Sequence, residues 1–338
     1  MENDNFTVKF WGVRGSYPTP GPQTVYYGGN TACVGVCAGG HTIILDAGTG
    51  IIPLGRELAA RARQDGGTPP RPILILFSHL HNDHTQGFPF FGPAYNPAAR
   101  LHLYGPGASE RALEELLARN QTPPAFPLAL RDMNAAREIR AIGELDGILL
   151  DENGIRLTRG GDSDSPEAVV VRLIKSYAHP GGVYLYRIAW RGRSLVYATD
   201  IEGYIGGDRR LTAFAKDADL LIHDAQYSEQ HYHGLNGWAS TQGFGHSTPQ
   251  MACETASADG VKRLALFHHD PSYDDESVYD LEEQAQSIFK TTFSAREGLE
   301  VDLTTAAREN GETSSHHPVF PLFAPERVKY ADYDRRPS

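Results

Sequence analysis

Four potential metal ligands occur within six consecutive residues of this chain, namely His79, His81, Asp83 and His84. They follow directly after the apolar run 73–77, which is typical of a buried strand. In extended backbone, side chains two residues apart point the same way, so His79 and His81 can bind one ion. Asp83 and His84, on the turn that follows, can then face a second ion. Since imidazole and carboxylate groups bind divalent metals, this spacing predicts a metal site.

Further along the chain, other apolar runs also end in side chains that can bind metal. These are His179, Asp200, the pair His223 and Asp224, and the pair His268 and His269. Strands that deliver ligands at the same end converge on one cleft, where α/β proteins place their active sites. His231 and His233, in a loop rich in glycine and tyrosine, are expected at the surface, with a position over the pocket as the alternative.

Asp46 ends another apolar run, 42–45, and is followed by Ala47 and Gly48. Two roles are open for its carboxylate, direct ligation or a hydrogen bond to a metal-binding histidine. We favour the hydrogen bond, because carboxylates beneath a metal site usually orient its histidines.

Composition limits the class of protein. The 338 residues suit one large domain or two small ones, and the net charge of −11 argues against a protein that coats nucleic acid. The three cysteines have no metal-binding or disulfide spacing, which indicates a reducing compartment. With a polar N-terminus and no apolar run long enough to span a bilayer, we expect a soluble cytoplasmic protein that does not bind membranes.

The order of strands and helices predicts a layered α/β fold. Helices are expected at 53–64, 109–120, 249–260 and 276–293, between strands that end in the polar residues above. Residues 121–168 lack a clear period and are interpreted as an insertion or cover. The polar tail beyond 302 is expected to be peripheral, with His316 and His317 solvated.

These motifs resemble the metallo-β-lactamase superfamily, whose signature of two histidines, a spacer, aspartate and histidine matches His79, His81, Asp83 and His84. Within it, the chain is similar to the phosphodiesterase branch that contains RNase Z enzymes and small-molecule phosphodiesterases. The His-Glu-Ala-Thr stretch of that branch corresponds to residues 223–226, and its His-Ser-Thr loop corresponds to residues 246–248. The likeness covers roughly residues 6–300.

The resemblance implies a four-layer αββα sandwich over 1–300, with 88–168 partly an insertion or cover, and a peripheral extension over 301–338. It also implies two divalent ions, which are expected to be zinc, with manganese or iron as alternatives. In the implied ligand set Asp200 bridges both ions. The first ion would be held by His79, His81 and His179, and the second by Asp83, His84 and His268. His268 is preferred over His269 because its position after the strand matches the family.

The implied reaction is hydrolysis of a small phosphodiester or cyclic nucleotide by a metal-bridging hydroxide. Asp83 belongs to the catalytic centre, and His246, oriented by Asp224, would protonate the leaving oxygen as general acid. Asp224 stands where the branch has glutamate, which shortens the side chain by one methylene. The alternative for His246 is a helix-start residue that satisfies local hydrogen bonds. His223, at the end of a buried strand, is expected to be structural.

Several other functions compete with this one. An endoribonuclease that processes the 3′ end of transfer RNA is the first alternative, although the acidic chain shows no basic protruding arm, so nucleic acid is not expected as a partner. A second alternative is hydrolysis of a carboxylic ester, lactone or thioester, against which the His246 and Asp224 pair argues. A flavodiiron oxidoreductase would need an attached flavin domain, which this sequence does not show. The non-enzymatic hypothesis is a binding protein stabilised by metal. A homodimer is expected by analogy alone.

Overall fold

The computed structural model describes residues 5–64, 71–124, 126–161, 163, 165–203, 208–258 and 260–304. Its strands are β1 (Phe6–Gly12), β2 (Cys33–Ala38), β3 (His41–Leu45), β4 (Ile73–Leu76), β5 (Arg100–Gly105), β6 (Ala136–Ala141), β7 (Asp146–Asp151), β8 (Gly154–Arg159), β9 (Val169–Ser176), β10 (Val183–Trp190), β11 (Arg193–Ala198), β12 (Leu220–Asp224), β13 (Leu264–Phe267), β14 (Thr292–Ser294) and β15 (Glu300–Asp302). Its helices are α1 (Ile51–Gln64), α2 (Glu110–Ala118), α3 (Arg209–Ala215), α4 (Glu229–His233), α5 (Pro249–Ala258) and α6 (Asp275–Ile288).

The strands form two mixed sheets. The first has the order β15-β1-β2-β3-β4-β5-β6, and the second has the order β14-β13-β12-β11-β10-β9-β7-β8. Strands β3 to β6 of the first sheet and β11 to β14 of the second pair in parallel. Parallel strands end at the same edge, so loops that follow β4, β11 and β13 can meet at one end of the molecule.

Three apolar clusters stack the elements into four layers. The central cluster lies between the sheets and includes Phe10 of β1 and Phe267 of β13, whose ring centroids are 6.2 Å apart. A second cluster packs α1 and α2 on the outer face of the first sheet, and a third packs α3, α5 and α6 on the second sheet. This arrangement confirms the predicted four-layer αββα sandwich.

Local burial follows from the sequence pattern. In β1 every second residue is buried, as expected for a strand that faces the core on one side. All residues of β4 are buried, because this strand has the other sheet on one face and helices on the other. The tight packing explains why an apolar run without alternation precedes the histidine cluster.

Three parts of the chain differ from the sequence prediction. His231 and His233, expected in a loop, lie in the short helix α4. Helix α6 ends at Ile288 rather than at 293, and Thr292–Ser294 forms strand β14, where the β-branched Thr291 and Thr292 favour extended backbone. Within the stretch predicted as insertion or cover, β6 pairs with β5, while β7 pairs with β8 and β9, so these strands belong to the two sheets. Strand β6 lacked a clear period because it is a partly exposed edge rich in charge.

The division into 1–300 and 301–338 stays a prediction. Strand β15 crosses this boundary and pairs with β1, while His316 and His317 lie outside the described residues. Among the described helices, none has both the length and the apolar character needed to traverse a lipid bilayer.

Arg14 connects the first loop of the chain to the segment that follows β13 by side-chain hydrogen bonds. Its side chain is fully buried and donates hydrogen bonds to the carbonyl oxygens of Gly28, Asp270 and Tyr273 at 2.8, 3.0 and 2.6 Å. Burial lowers the pKa of Arg14, and the carboxylate of Asp275 opposes this shift. One guanidinium therefore binds buried carbonyl groups from both segments.

Replacing Arg14 by methionine should lower the free energy of unfolding by about 3 kcal/mol, because buried carbonyl groups would lose their donors. Denaturant unfolding followed by circular dichroism measures this loss. Arg111→Met is the control, since Arg111 is exposed and its ion pair within the described residues is with Glu115 one turn away. This variant should unfold like the parent protein. A loss of less than about 1 kcal/mol for Arg14→Met would show that the anchor is dispensable.

Candidate metal centre

The predicted ligands come together at one end of the sandwich, where strand ends turn sharply. Asp46 after β3, Asp200 after β11 and His268 after β13 have positive φ angles of 60°, 50° and 65°. This left-handed conformation is uncommon for residues other than glycine and is tolerated mainly at functional sites. The turns direct the side chains into the space between the ends of the two sheets.

Residues on both sheets fix the histidine loop after β4. The backbone N–H of Tyr184 donates to the carbonyl oxygen of Ser78 at 2.8 Å, and the Tyr186 hydroxyl donates to that of Phe77 at 2.7 Å. Both tyrosines belong to β10 of the second sheet. The loop is therefore attached to the opposite sheet as well as to its own.

The first group of ligands consists of His79, His81 and His179, which can place one nitrogen each within 4.8 Å of the others. His179 Nδ1 donates to the carbonyl oxygen of Gly245 at 3.0 Å, which leaves its Nε2 as an acceptor 3.1 Å from His81 Nδ1. His79 Nε2 is buried and has no hydrogen-bond partner among the described residues, while its Nδ1 lies 3.1 Å from Ser78 Oγ. Backbone and hydroxyl contacts thus orient the outer nitrogens of His179 and His79, and the inner nitrogens face the middle of the group.

The second group consists of Asp83, His84, Asp200 and His268, all buried. The Nε2 atoms of His84 and His268 are 3.2 Å apart. Asp83 Oδ2 lies 3.3 Å from His84 Nε2 and 3.2 Å from His268 Nε2, and Asp200 Oδ1 lies 3.2 and 3.3 Å from the same atoms. Two carboxylates and two imidazoles thus point at a common centre.

Asp200 also reaches the first group. Its Oδ2 lies 3.6 Å from His79 Nε2 and 3.9 Å from His179 Nε2. Its Oδ1, which faces the second group, accepts a hydrogen bond from Thr199 Oγ1 at 2.6 Å. One oxygen therefore faces each group, which is the geometry that a bridging carboxylate requires.

The donor set fits a divalent ion in each group. Tetrahedral zinc with bonds of about 2.0 to 2.1 Å places ligand nitrogens roughly 3.3 Å apart. The contacts of 3.1 Å between His81 and His179 and of 3.2 Å between His84 and His268 are close to this edge length. Imidazole and carboxylate ligands also suit manganese and iron.

Burial and neighbouring charges set the protonation states of the candidate ligands. Burial, reinforced by His84, lowers the pKa of His79 well below its usual value. Burial disfavours the charged form of Asp83 and Asp200 as well, but His84 and His268 outweigh it and lower the pKa of both carboxyl groups. The carboxylates outweigh burial at His84 and raise its pKa. Both aspartates are therefore held as anions.

Asp46 orients the second group from below. Its carboxylate accepts hydrogen bonds from the backbone N–H and hydroxyl of Ser78, both at 2.7 Å, and from the Tyr197 hydroxyl at 2.8 Å. The same carboxylate lies 2.8 Å from His84 Nδ1. The expected hydrogen bond between Asp46 and a histidine of the motif is confirmed, and it directs His84 Nε2 toward the centre.

Two residues that orient this group were not identified from the sequence. Gln226 Oε1 lies 3.0 Å from His268 Nδ1, and the amide nitrogen of Gln226 donates to Asp270 Oδ2 at 3.3 Å. The backbone N–H of Ser16 donates to Asp83 Oδ2 at 2.8 Å. Gln226 lies two residues after Asp224, and this position could have indicated its role in the site. Nothing in the sequence near Ser16 indicated that its loop contributes to the site.

His246 lies beside both groups and is paired with Asp224. Its Nδ1 is 2.7 Å from Asp224 Oδ2, and the backbone N–H of Ser247 donates to the other carboxylate oxygen at 2.8 Å. The ring centroid of His246 is 5.0 Å from those of both His179 and His268. Burial opposes its charge, but Asp224 overcomes this effect and raises the pKa of His246 to about 9. A proton can therefore be retained at neutral pH.

Two neighbouring histidines lie away from the centre. His269 Nε2 donates to the carbonyl oxygen of Ala295 at 2.9 Å, so His268 rather than His269 faces the ligand cluster. His223 is buried, and its Nδ1 donates to the carbonyl oxygen of Asp224 at 2.7 Å. These bonds occupy both side chains in backbone contacts.

Comparison with known proteins relates this site to a family. The model of the beta-lactamase superfamily domain matches residues 41–269. Among curated proteins, the chain is 29% identical over 242 residues to Ribonuclease Z of Sulfurisphaera tokodaii, covering 66% of this chain and 78% of that protein. This relative is named as a ribonuclease. The expectation that nucleic acid is not a partner is therefore not supported.

Solved structures show the same fold. The metallo-beta-lactamase fold protein YhfI from Bacillus subtilis superposes with a TM-score of 0.60 at 18% identity, over 88% of this chain and 99% of that one. A diphosphatase from the PhnP family gives a TM-score of 0.56 at 17% identity, over 88% and 97%. Because the family model spans most of the chain and the donor cluster lies inside the matched region, the chain belongs to the beta-lactamase superfamily, as a metal-dependent hydrolase with the metallo-β-lactamase fold.

Proposed function

We propose that this hydrolase is a phosphodiesterase with two divalent ions and with His246 as its general acid. The observation that carries the proposal is the buried pair of His246 and Asp224, 2.7 Å apart, beside both ligand groups. Hydrolysis of a phosphodiester with an unactivated leaving group needs a proton donor at the departing oxygen. A carboxylic ester or lactone hydrolase in the same fold would have less need of such a pair.

Each residue has a specific role in this proposal. His79, His81 and His179 would hold one ion, Asp83, His84 and His268 would hold the other, and Asp200 would bridge them. When bound, such ions activate water for attack and neutralise the charge of the phosphate oxygens.

The chain itself supplies the proton. Asp224 accepts from Nδ1 of His246, which fixes the ring and leaves Nε2 to carry the proton to the leaving oxygen. The backbone N–H of Ser247 and that of Gln226 donate to the other oxygen of Asp224, at 2.8 and 3.2 Å. The shorter side chain of aspartate therefore still reaches the histidine, held from both sides.

A small phosphodiester or a cyclic nucleotide is the first proposed substrate, because the chain carries a net charge of −11, which disfavours a large polyanion. The second candidate is the 3′ end of a transfer RNA precursor. The similarity to proteins named Ribonuclease Z supports this candidate, including that of Gemmatimonas aurantiaca, which is 26% identical over 88% of this chain and 95% of that protein. Parallel assays on cyclic nucleotides and on precursor transfer RNA separate the two.

Replacing Asp200 by alanine should lower the metal content from two ions per chain to one or fewer, because both groups lose a shared ligand. Elemental analysis after dialysis measures the change. His246→Ala is the matched control and should keep both ions. Its Nδ1 pairs with Asp224, and the proposal gives His246 no bond to either ion, although one of its ring nitrogens lies within 4.8 Å of ligand atoms of His179 and Asp200. Retention of both ions by Asp200→Ala would rule out a bridging role.

Replacing His246 by alanine should reduce turnover of substrates with alkyl leaving groups roughly 10² to 10⁴-fold. Bis(p-nitrophenyl) phosphate, whose leaving group needs no proton, should lose far less activity. Asp224→Asn should give a smaller loss with the same preference between substrates. Equal losses on both substrates would contradict the assignment of His246 as general acid.

A further inference from the structure

Several exposed aromatic side chains lie on segments that also carry residues of the candidate metal centre. Tyr17, Tyr177, Trp238 and Phe244 are between 41% and 75% exposed. Tyr177 and Phe244 each lie two residues before a site histidine, and Trp238 lies on the loop between Asp224 and His246. Large aromatic side chains left in water on a folded surface often mark a binding region.

Trp238 differs from the other exposed rings because a second ring supports one of its faces. Its indole stacks on the His231 imidazole with a centroid distance of 4.1 Å and an interplanar angle of 29°. A hydrogen bond of 3.0 Å joins His231 Nδ1 to the hydroxyl of Tyr273, and the Tyr273 ring meets the indole edge-on at 6.2 Å. Trp238 is therefore positioned by its neighbours while 41% of it remains exposed.

The support for Trp238 continues to the proposed general acid. The Tyr227 ring lies 4.7 Å from that of His231 and 5.8 Å from that of His246. Tyr227 is itself held by its backbone N–H, which donates to the carbonyl oxygen of Ser247 at 3.1 Å. A row of rings thus connects Trp238 with the side of the site where His246 would protonate the leaving oxygen.

We propose that Trp238, supported by His231, is a stacking surface for a nucleobase carried by the leaving group of the phosphodiester. This inference rests on the proposed phosphodiesterase function and on His246 as the residue that faces the leaving oxygen. Among biological phosphodiesters, those that carry planar rings are the nucleotides. Stacking on an aromatic side chain tolerates every base, because every base has a π face.

The test compares a dinucleoside monophosphate with the methyl ester of ribose 5-phosphate, a diester that carries no base on either alcohol. In the metal-supplemented full chain, Trp238→Ala should lower kcat/KM for the dinucleotide roughly 5- to 150-fold and leave the base-free ester nearly unchanged. Trp238→Phe should restore most of the loss. Leu235→Ala, which removes a 53% exposed aliphatic side chain from the same loop, should behave like the parent protein.

A binding measurement makes the inference independent of turnover. The other two tryptophans are less exposed, Trp190 at 3% and Trp11 in the intermediate class, so a base that stacks on Trp238 should quench the intrinsic fluorescence. Adenosine monophosphate should quench it in the parent protein and not in Trp238→Phe, whereas ribose 5-phosphate should not quench either. An unchanged dinucleotide preference in Trp238→Ala, or equal effects of the two phosphates, would overturn the inference.

The outcomes also separate this inference from the proposed function. Quenching by adenosine monophosphate without hydrolysis of any phosphodiester would support the stacking surface and refute the phosphodiesterase. Hydrolysis of bis(p-nitrophenyl) phosphate without any base effect would do the reverse. If Trp238→Ala loses activity on dinucleotides, the stacked base belongs to a small nucleotide ester. If the loss of activity is confined to precursor transfer RNA, the stacked base belongs to RNA.

Discussion

The structure brings buried imidazole and carboxylate groups so close together that their nitrogen and oxygen atoms face common centres. Asp83 and Asp200 lie within 3.3 Å of the same two imidazole nitrogens, and in the part of the chain that the structure describes no group forms a hydrogen bond with the Nε2 atom of His79. Buried anions are costly unless they are paired, and facing imidazole nitrogens repel one another unless one donates a proton. Bound divalent cations would neutralise the buried carboxylates and accept the lone pairs of the facing imidazole nitrogens. The stability of the fold and metal binding at this site are therefore coupled.

The two sheets share the task of holding this cluster. The first sheet delivers the histidine loop after β4, and the second delivers Asp200 and His268 after β11 and β13. Hydrogen bonds from Tyr184 and Tyr186 cross between the sheets, and Arg14 ties the first loop to the segment behind His268. A shift of one sheet against the other would separate the two halves of the site, so the packed core between them sets its geometry.

The sequence was sufficient for the fold class and for the convergence of the ligands, because strand period and ligand spacing are local signals. Contacts between distant segments were not visible. The Tyr197 hydroxyl reaches Asp46 across 151 positions, and Ser16 reaches Asp83 across 67. Strand β6 was missed because edge strands carry charges that hide their period. The end of α6 was misplaced because its last turn gives way to a strand without a glycine or proline to mark the change.

The most direct test of the paired-cation account is a crystal structure of the metal-supplemented protein with anomalous diffraction recorded at the absorption edge of the bound metal. The account predicts two anomalous peaks on the order of 3.5 to 4 Å apart. One should lie among His79, His81 and His179, the other among Asp83, His84 and His268, with Asp200 between them. A single peak, or peaks outside these two groups, would contradict it.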